Sequence, residues 1–164
     1  MSVVTWQERL QPYALYLAWL FSLVATLGSL YLSEAAGFVP CVLCWFQRIF
    51  MYPLAVMLGI AAYRGDESVA PYSLTLAGIG GSISIYHYLL QKVPALHDAA
   101  MCSGGVPCTD DPLNWLGFVT VPFLALIAFA AVVFFSWTVL RAAGRGGVAP
   151  TAGRKDGAAR GQAR

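Results

Sequence analysis

Residues 39–50 read "VPCVLCWFQRIF". A C-x-x-C pair, Cys41 and Cys44, is followed one helical turn later by Arg48, and the chain then becomes almost wholly apolar. The uncharged run at 49–63 is too short to cross a bilayer unaided, because a spanning helix needs roughly 20 residues and at least about 17. It reaches that length only if the helix opens near Cys44 and takes Arg48 into its first turns. The sequence therefore predicts a thiol and a cation together at one end of a membrane helix.

Three further uncharged stretches, 11–33, 69–91 and 112–140, are long enough without help. The 164-residue composition agrees: 59% of residues are hydrophobic and 11% charged, against about 25% charged in soluble proteins. So few charges cover a soluble surface poorly, whereas a bilayer accepts apolar side chains directly. The first stretch is followed by small residues, "SEAAG", which raises the possibility of a cleaved signal. Its apolar part exceeds the roughly 7–15 residues of a signal, and Arg9 is offset by Glu8, so a retained helix is expected.

The expected fold class is thus an all-α membrane protein, a four-transmembrane-helix bundle in one domain, residues 1–140. Its spans are placed at about 12–32, 44–63, 70–90 and 114–140, with outer loops at 33–43 and 91–113. Both termini then share a side with Arg9, Arg64 and the basic residues after 140, which the positive-inside rule makes cytoplasmic. The segment 141–164, rich in Gly, Ala and Arg, is expected to be a basic, disordered cytoplasmic tail. It is better suited to anionic lipid than to nucleic acid. All four cysteines fall on the outer side, where oxidative thiol chemistry persists. Charge asymmetry and cysteine placement are independent signals, and they agree.

Within the spans, Gly78 and Ser82 in "AGIGGS" have the small-x-x-x-small spacing that lets helices approach closely. Pro53 and Pro122 are tolerable in spans whose neighbours satisfy freed carbonyls. Trp6, Trp45, Tyr63, Tyr86, Tyr88 and Trp115 read as interfacial anchors. His87 reads first as an interfacial or hydrogen-bonded histidine, His97 as a loop residue, and Asp110 and Asp111 as a helix-start signal.

Two cysteine pairs, Cys41/Cys44 and Cys102/Cys108, admit three chemistries. Four thiolates could hold zinc, but a five-residue gap in "CSGGVPC" is not knuckle spacing, and a zinc clip has no use for Arg48; the expectation is no metal. Structural disulfides are a second reading, although a C-x-x-C ring is so small that closing it removes little chain entropy. The third is a redox relay. A C-x-x-C cysteine at a helix N-terminus beside a cation has a lowered pKa and a reactive thiolate. Two pairs on one side allow dithiol–disulfide exchange in sequence. An arginine inside a span is expensive enough to read as functional by default.

The segment "PCVLCWFQRIFMYP" at 40–53 resembles the signature of the disulfide bond formation protein B (DsbB) family, and W-x-Q-R is similar to its shorter BdbC-type members. "YHYLLQ" at 86–91 and "LGFVTVP" at 116–122 sit where that family has related segments. The resemblance implies a membrane thiol:quinone oxidoreductase that reoxidises a DsbA-like thioredoxin-fold partner and passes two electrons to a quinone, menaquinone or ubiquinone. By the same resemblance Cys41 and Cys44 are the quinone-coupled redox-active pair, with Cys44 and Arg48 at the quinone. Cys102 and Cys108 are the partner-facing pair, Cys102 forming the mixed disulfide. The implied place is the bacterial cytoplasmic (inner) membrane, with the redox loops outside. The second pair departs from the best-known members in its short C-x5-C loop. A vitamin-K-epoxide-reductase-like enzyme is an alternative, but there the motif lies toward a later span. A membrane scaffold with structural or metal-binding cysteines is another, and it would not need Arg48.

Overall fold

The computed structural model describes residues 13–99, 106–109 and 118–146. Their long elements are all helical: α1 (Ala14–Leu30), α2 (Val42–Arg64), α3 (Ala70–Lys92) and α4 (Val121–Gly146). A five-residue π turn, Tyr31–Ala35, extends α1, and 3-10 turns occupy Glu67–Val69 and Pro94–Ala99. Trp6, Cys102, Asp110, Asp111, Trp115 and residues 147–164 lie outside the described residues, as does the side chain of His97; residues 141–146, placed by the sequence in a disordered tail, continue α4 as helix.

The helices form a ring. α1 packs on α2 and α4, α3 packs on α2 and most extensively on α4, and α2 barely touches α4 across the centre. Ala14–Ala35, Val42–Arg64 and Val121–Ala143 are each long and apolar enough to cross a membrane. At about 1.5 Å per residue, α3 is as long as α2, but its serines, threonine, tyrosines, His87 and Gln91 hold it below that level of apolarity. Side chains such as Leu27, Val56 and Ile60 are more than half exposed on the outside of the ring. Lipid is the environment that accommodates such a surface.

Helix boundaries follow local chemistry. α2 begins at Val42 rather than near Cys44, because Cys41 serves as its N-cap: extended at φ −71° and ψ 172°, with Sγ accepting from the Cys44 backbone N–H. At the other end Gly65 takes the left-handed conformation, φ 65°, that closes a helix without a Cβ clash. α4 starts at Val121, later than the sequence placed it. Pro122 then falls in the first turn, where its missing N–H costs no helical bond.

The main core runs through Ala14, Ala18, Leu54, Leu58, Ala77, Phe129 and Val132. Close approach of α3 to α4 depends on Gly80, where the Phe129 ring occupies the space a Cβ would need. Gly78 faces open space and Ser82 is exposed, bonding only back to the Gly78 carbonyl. The small-residue contact is thus on nearly the opposite face of the helix from the one the spacing suggested. Further along the same interface the buried hydroxyls of Ser73 and Ser136 bond each other at 2.8 Å, which satisfies both without water.

Candidate functional site

At the end of the bundle where α2 begins, a second, smaller core gathers Cys41, Leu43, Leu90 and Cys108, with Cys44, Ile83, Tyr86, Leu96 and Val106 packed against it. Cys41 is 7% exposed and Cys44 half-buried. Both are free thiols, 2.9 Å apart and hydrogen-bonded to each other. The spacing follows from the helix: a residue at the N-cap and one at N3 lie over the same turn, which is the geometry that lets a capping side chain reach the N3 amide.

The sulfur that the helix terminus favours is Cys41. It accepts the Cys44 N–H at 3.4 Å, and His87 Nε2 lies 3.6 Å away. Its thiol is lowered from the ordinary value near 9 to about 4, first by the hydrogen bond shared with Cys44, with burial opposing and the His87 hydrogen bond assisting. The sequence had directed attention to Cys44 as the sulfur beside the helix N-terminus; the start at Val42 transfers the cap to Cys41.

Arg48 stands one turn past Cys44. Its guanidinium donates from Nη2 to the Ser29 carbonyl at 3.0 Å and lies over the Trp45 ring, 5.4 Å from the centroid. A guanidinium carries five N–H donors, so this tether to α1 positions the group and leaves other donors available. Tyr52, one turn further, shares a 3.3 Å hydrogen bond with the Ser29 hydroxyl.

These groups open on a cavity of about 520 Å³ between α1, α2 and α4. Its walls are apolar, including Phe21, Val24, Met51, Leu124 and Ala128, and Val106 and Pro107 line it from the loop. Its polar lining includes Cys41, Cys44, Gln47, Arg48 and His87, along with Ser29, Tyr52 and Gln91. An apolar cavity with a few convergent polar groups is the usual form of a small-molecule site.

Cys108 is buried and disulfide-bonded, and it packs in the same core as Cys41. The sequence reading missed Gln47 and underweighted His87. The two are 5% and 1% exposed, and Gln47 Nε2 reaches His87 Nδ1 at 3.1 Å. The ligand atoms of Cys41, Cys44 and His87 lie within 4.8 Å of one another, close enough to suggest a metal. The same three groups are also the ones a dithiol–disulfide exchange would use.

The family model for disulfide bond formation protein DsbB matches residues 11–139. The chain is 54% identical over 135 residues to "Probable disulfide formation protein C 1" of Bacillus anthracis, covering 82% of this chain and 97% of that one. It is 54% identical over 121 residues to "Disulfide bond formation protein C" of Bacillus subtilis, with 74% and 88% covered. A "Probable disulfide formation protein" of Coxiella burnetii is 46% identical over 127 residues, with 77% and 86% covered. No solved structure matches the chain.

Proposed function

The chain belongs to the DsbB family of disulfide bond formation proteins, and from that premise we propose that it is a four-span thiol:quinone oxidoreductase. It reoxidises a DsbA-like thioredoxin-fold partner outside the bacterial cytoplasmic membrane, with both termini inside. The observation that supports this most is the Cys41–Cys44 dithiol at a helix N-terminus, opening with Arg48 onto an apolar cavity.

The cavity fits a quinone. A volume of about 520 Å³ accommodates a ring and the first part of an isoprenoid tail, and Arg48 offers a cation at the polar part of the lining. Cys44 and Arg48 would hold the ring, and the apolar walls would take the tail. A bound quinone supplies a two-electron, two-proton acceptor that returns the Cys41–Cys44 dithiol to the disulfide. Arg48, tethered to Ser29, is pre-aimed to stabilise negative charge on a ring oxygen in a low-dielectric site.

On the partner side, the reduced partner's thiolate attacks Cys102 of a Cys102–Cys108 disulfide. A mixed disulfide forms at Cys102, and Cys108 leaves with the electron pair. Packing of Cys108 in one core with Cys41 supports it as the sulfur that carries exchange inward to the Cys41–Cys44 disulfide. The partner's second thiolate closes its own disulfide and frees Cys102; Cys108 attacks the Cys41–Cys44 disulfide and Cys102 then displaces the bound sulfur to re-form Cys102–Cys108, so the net result is a disulfide in the partner and two thiols at 41 and 44. Negative charge left on Cys41 is favoured by the helix terminus and His87.

The test is a coupled assay on the full chain in detergent with a reduced thioredoxin-fold dithiol protein and quinone. One quinone reduced per partner disulfide formed is expected. Partner oxidation that proceeds unchanged without quinone would refute the proposal.

A further inference from the structure

Gln47 on α2 and His87 on α3 are both buried at the outer end of the bundle, and the exchange chemistry gives Gln47 no part. Burying two polar side chains in place of apolar packing is unfavourable unless each finds a partner. Here they find each other: Gln47 Nε2 lies 3.1 Å from His87 Nδ1. An amide nitrogen only donates, so Nδ1 accepts; a neutral imidazole has one N–H, which must then be on Nε2. Nε2 is the nitrogen 3.6 Å from Cys41 Sγ.

We propose that Gln47 is a positioning residue for the redox pair: by donating to His87 Nδ1 it holds the imidazole in the Nε2–H tautomer and aims that hydrogen at the Cys41 sulfur. This rests on Cys41 and Cys44 being the working pair. Cys41 then receives the Cys44 amide and the imidazole N–H, with the Cys44 sulfur beside it at 2.9 Å. The alternative tautomer would present a lone pair to the sulfur and repel its charge. The other titratable or charged groups on the cavity wall are Arg48 and Tyr52 on α2 and Tyr31 after α1; α4 contributes none among the lining residues. The same tautomer turns the Cys41, Cys44 and His87 cluster away from metal, since a protonated nitrogen cannot ligate.

The experiment is ¹⁵N NMR of the reduced full chain in detergent with labelled histidine, the His87 signals assigned by comparison with His97→Gln. The wild type is expected to show a protonated Nε2 and a bare Nδ1. Gln47→Leu should lose the single tautomer and move the midpoint of Cys41 alkylation up by about 0.7 pH unit, the fivefold scale of one net hydrogen bond. Gln47→Glu, whose carboxylate can only accept, should put a proton on Nδ1. A proton on Nδ1 in the wild type would overturn the proposal even if both variants failed to fold. So would an unchanged tautomer and an unchanged alkylation midpoint in folded Gln47→Leu. The redox reading is judged separately, by quinone reduction in Cys41→Ala, because the tautomer is read without turnover.

Discussion

The two ends of the α3–α4 neighbourhood bury polar groups for opposite ends. Toward the start of α3, Ser73 and Ser136 bond each other across a close interface made possible by Gly80 against Phe129. Both hydroxyls there are satisfied by protein partners, and neither serine lines the cavity. Toward the end of α3, Gln47, His87, Cys41 and Arg48 are also bonded, but they line a cavity of about 520 Å³. One region uses polar contacts to lock helices together; the other holds reactive groups around an empty space. Packing alone explains the first and not the second, which is why function is assigned to the second.

Substitutions should separate the two regions. Cys44→Ala removes a redox sulfur that is only half-buried, so turnover with partner and quinone should drop by about 10³-fold or more while the melting temperature barely moves. Arg48→Met should lower quinone reduction on the order of 10²-fold, the scale of losing one pre-aimed charge-stabilising donor. Gly80→Leu should do the reverse: a side chain cannot share space with Phe129, so stability falls by about 1–3 kcal/mol. Activity per folded molecule should survive in that variant, as thermal unfolding and turnover measured together would show.

Smaller effects probe each side further. The folded Cys41 thiol lies below its ordinary value near 9, so its charge stabilises the reduced protein fully above that pH. The contribution is lost as pH falls through about 4. Alkylation of Cys41, followed by mass spectrometry, should therefore stay nearly constant from pH 8 to about pH 5 and fall below it. Ser136→Ala should cost about 1 kcal/mol and leave quinone reduction unchanged, because Ser73 keeps its bond to the Ala70 carbonyl.

Much of this was legible in "VPCVLCWFQRIF". The span-length argument tied the C-x-x-C to a helix start, and Arg48, singled out in that helix, lines the same cavity as the two cysteines. What escaped depends on helix rotation. Gln47 and His87 are 40 positions apart, and only the packing of α2 on α3 makes them neighbours. A lone glutamine beside Arg48 carries no periodic signal that it points inward. Gly80 lost to Gly78 for the same reason: both fit a small-residue stripe, and two positions on a helix are about 200° of rotation. The cap at Cys41 was one step finer than helix length can decide, since capping depends on the extended backbone before Val42.

The most direct measurement adds quinone to the reduced full chain with no partner present and follows alkylation of each cysteine alongside quinone absorbance. Cys41 and Cys44 should become protected together, one pair per quinone reduced, while the pair at 102 and 108 follows only later. Protection of Cys102 and Cys108 with Cys41 and Cys44 still alkylated, or quinone reduction undiminished in Cys41→Ala, would contradict a redox centre at the head of α2.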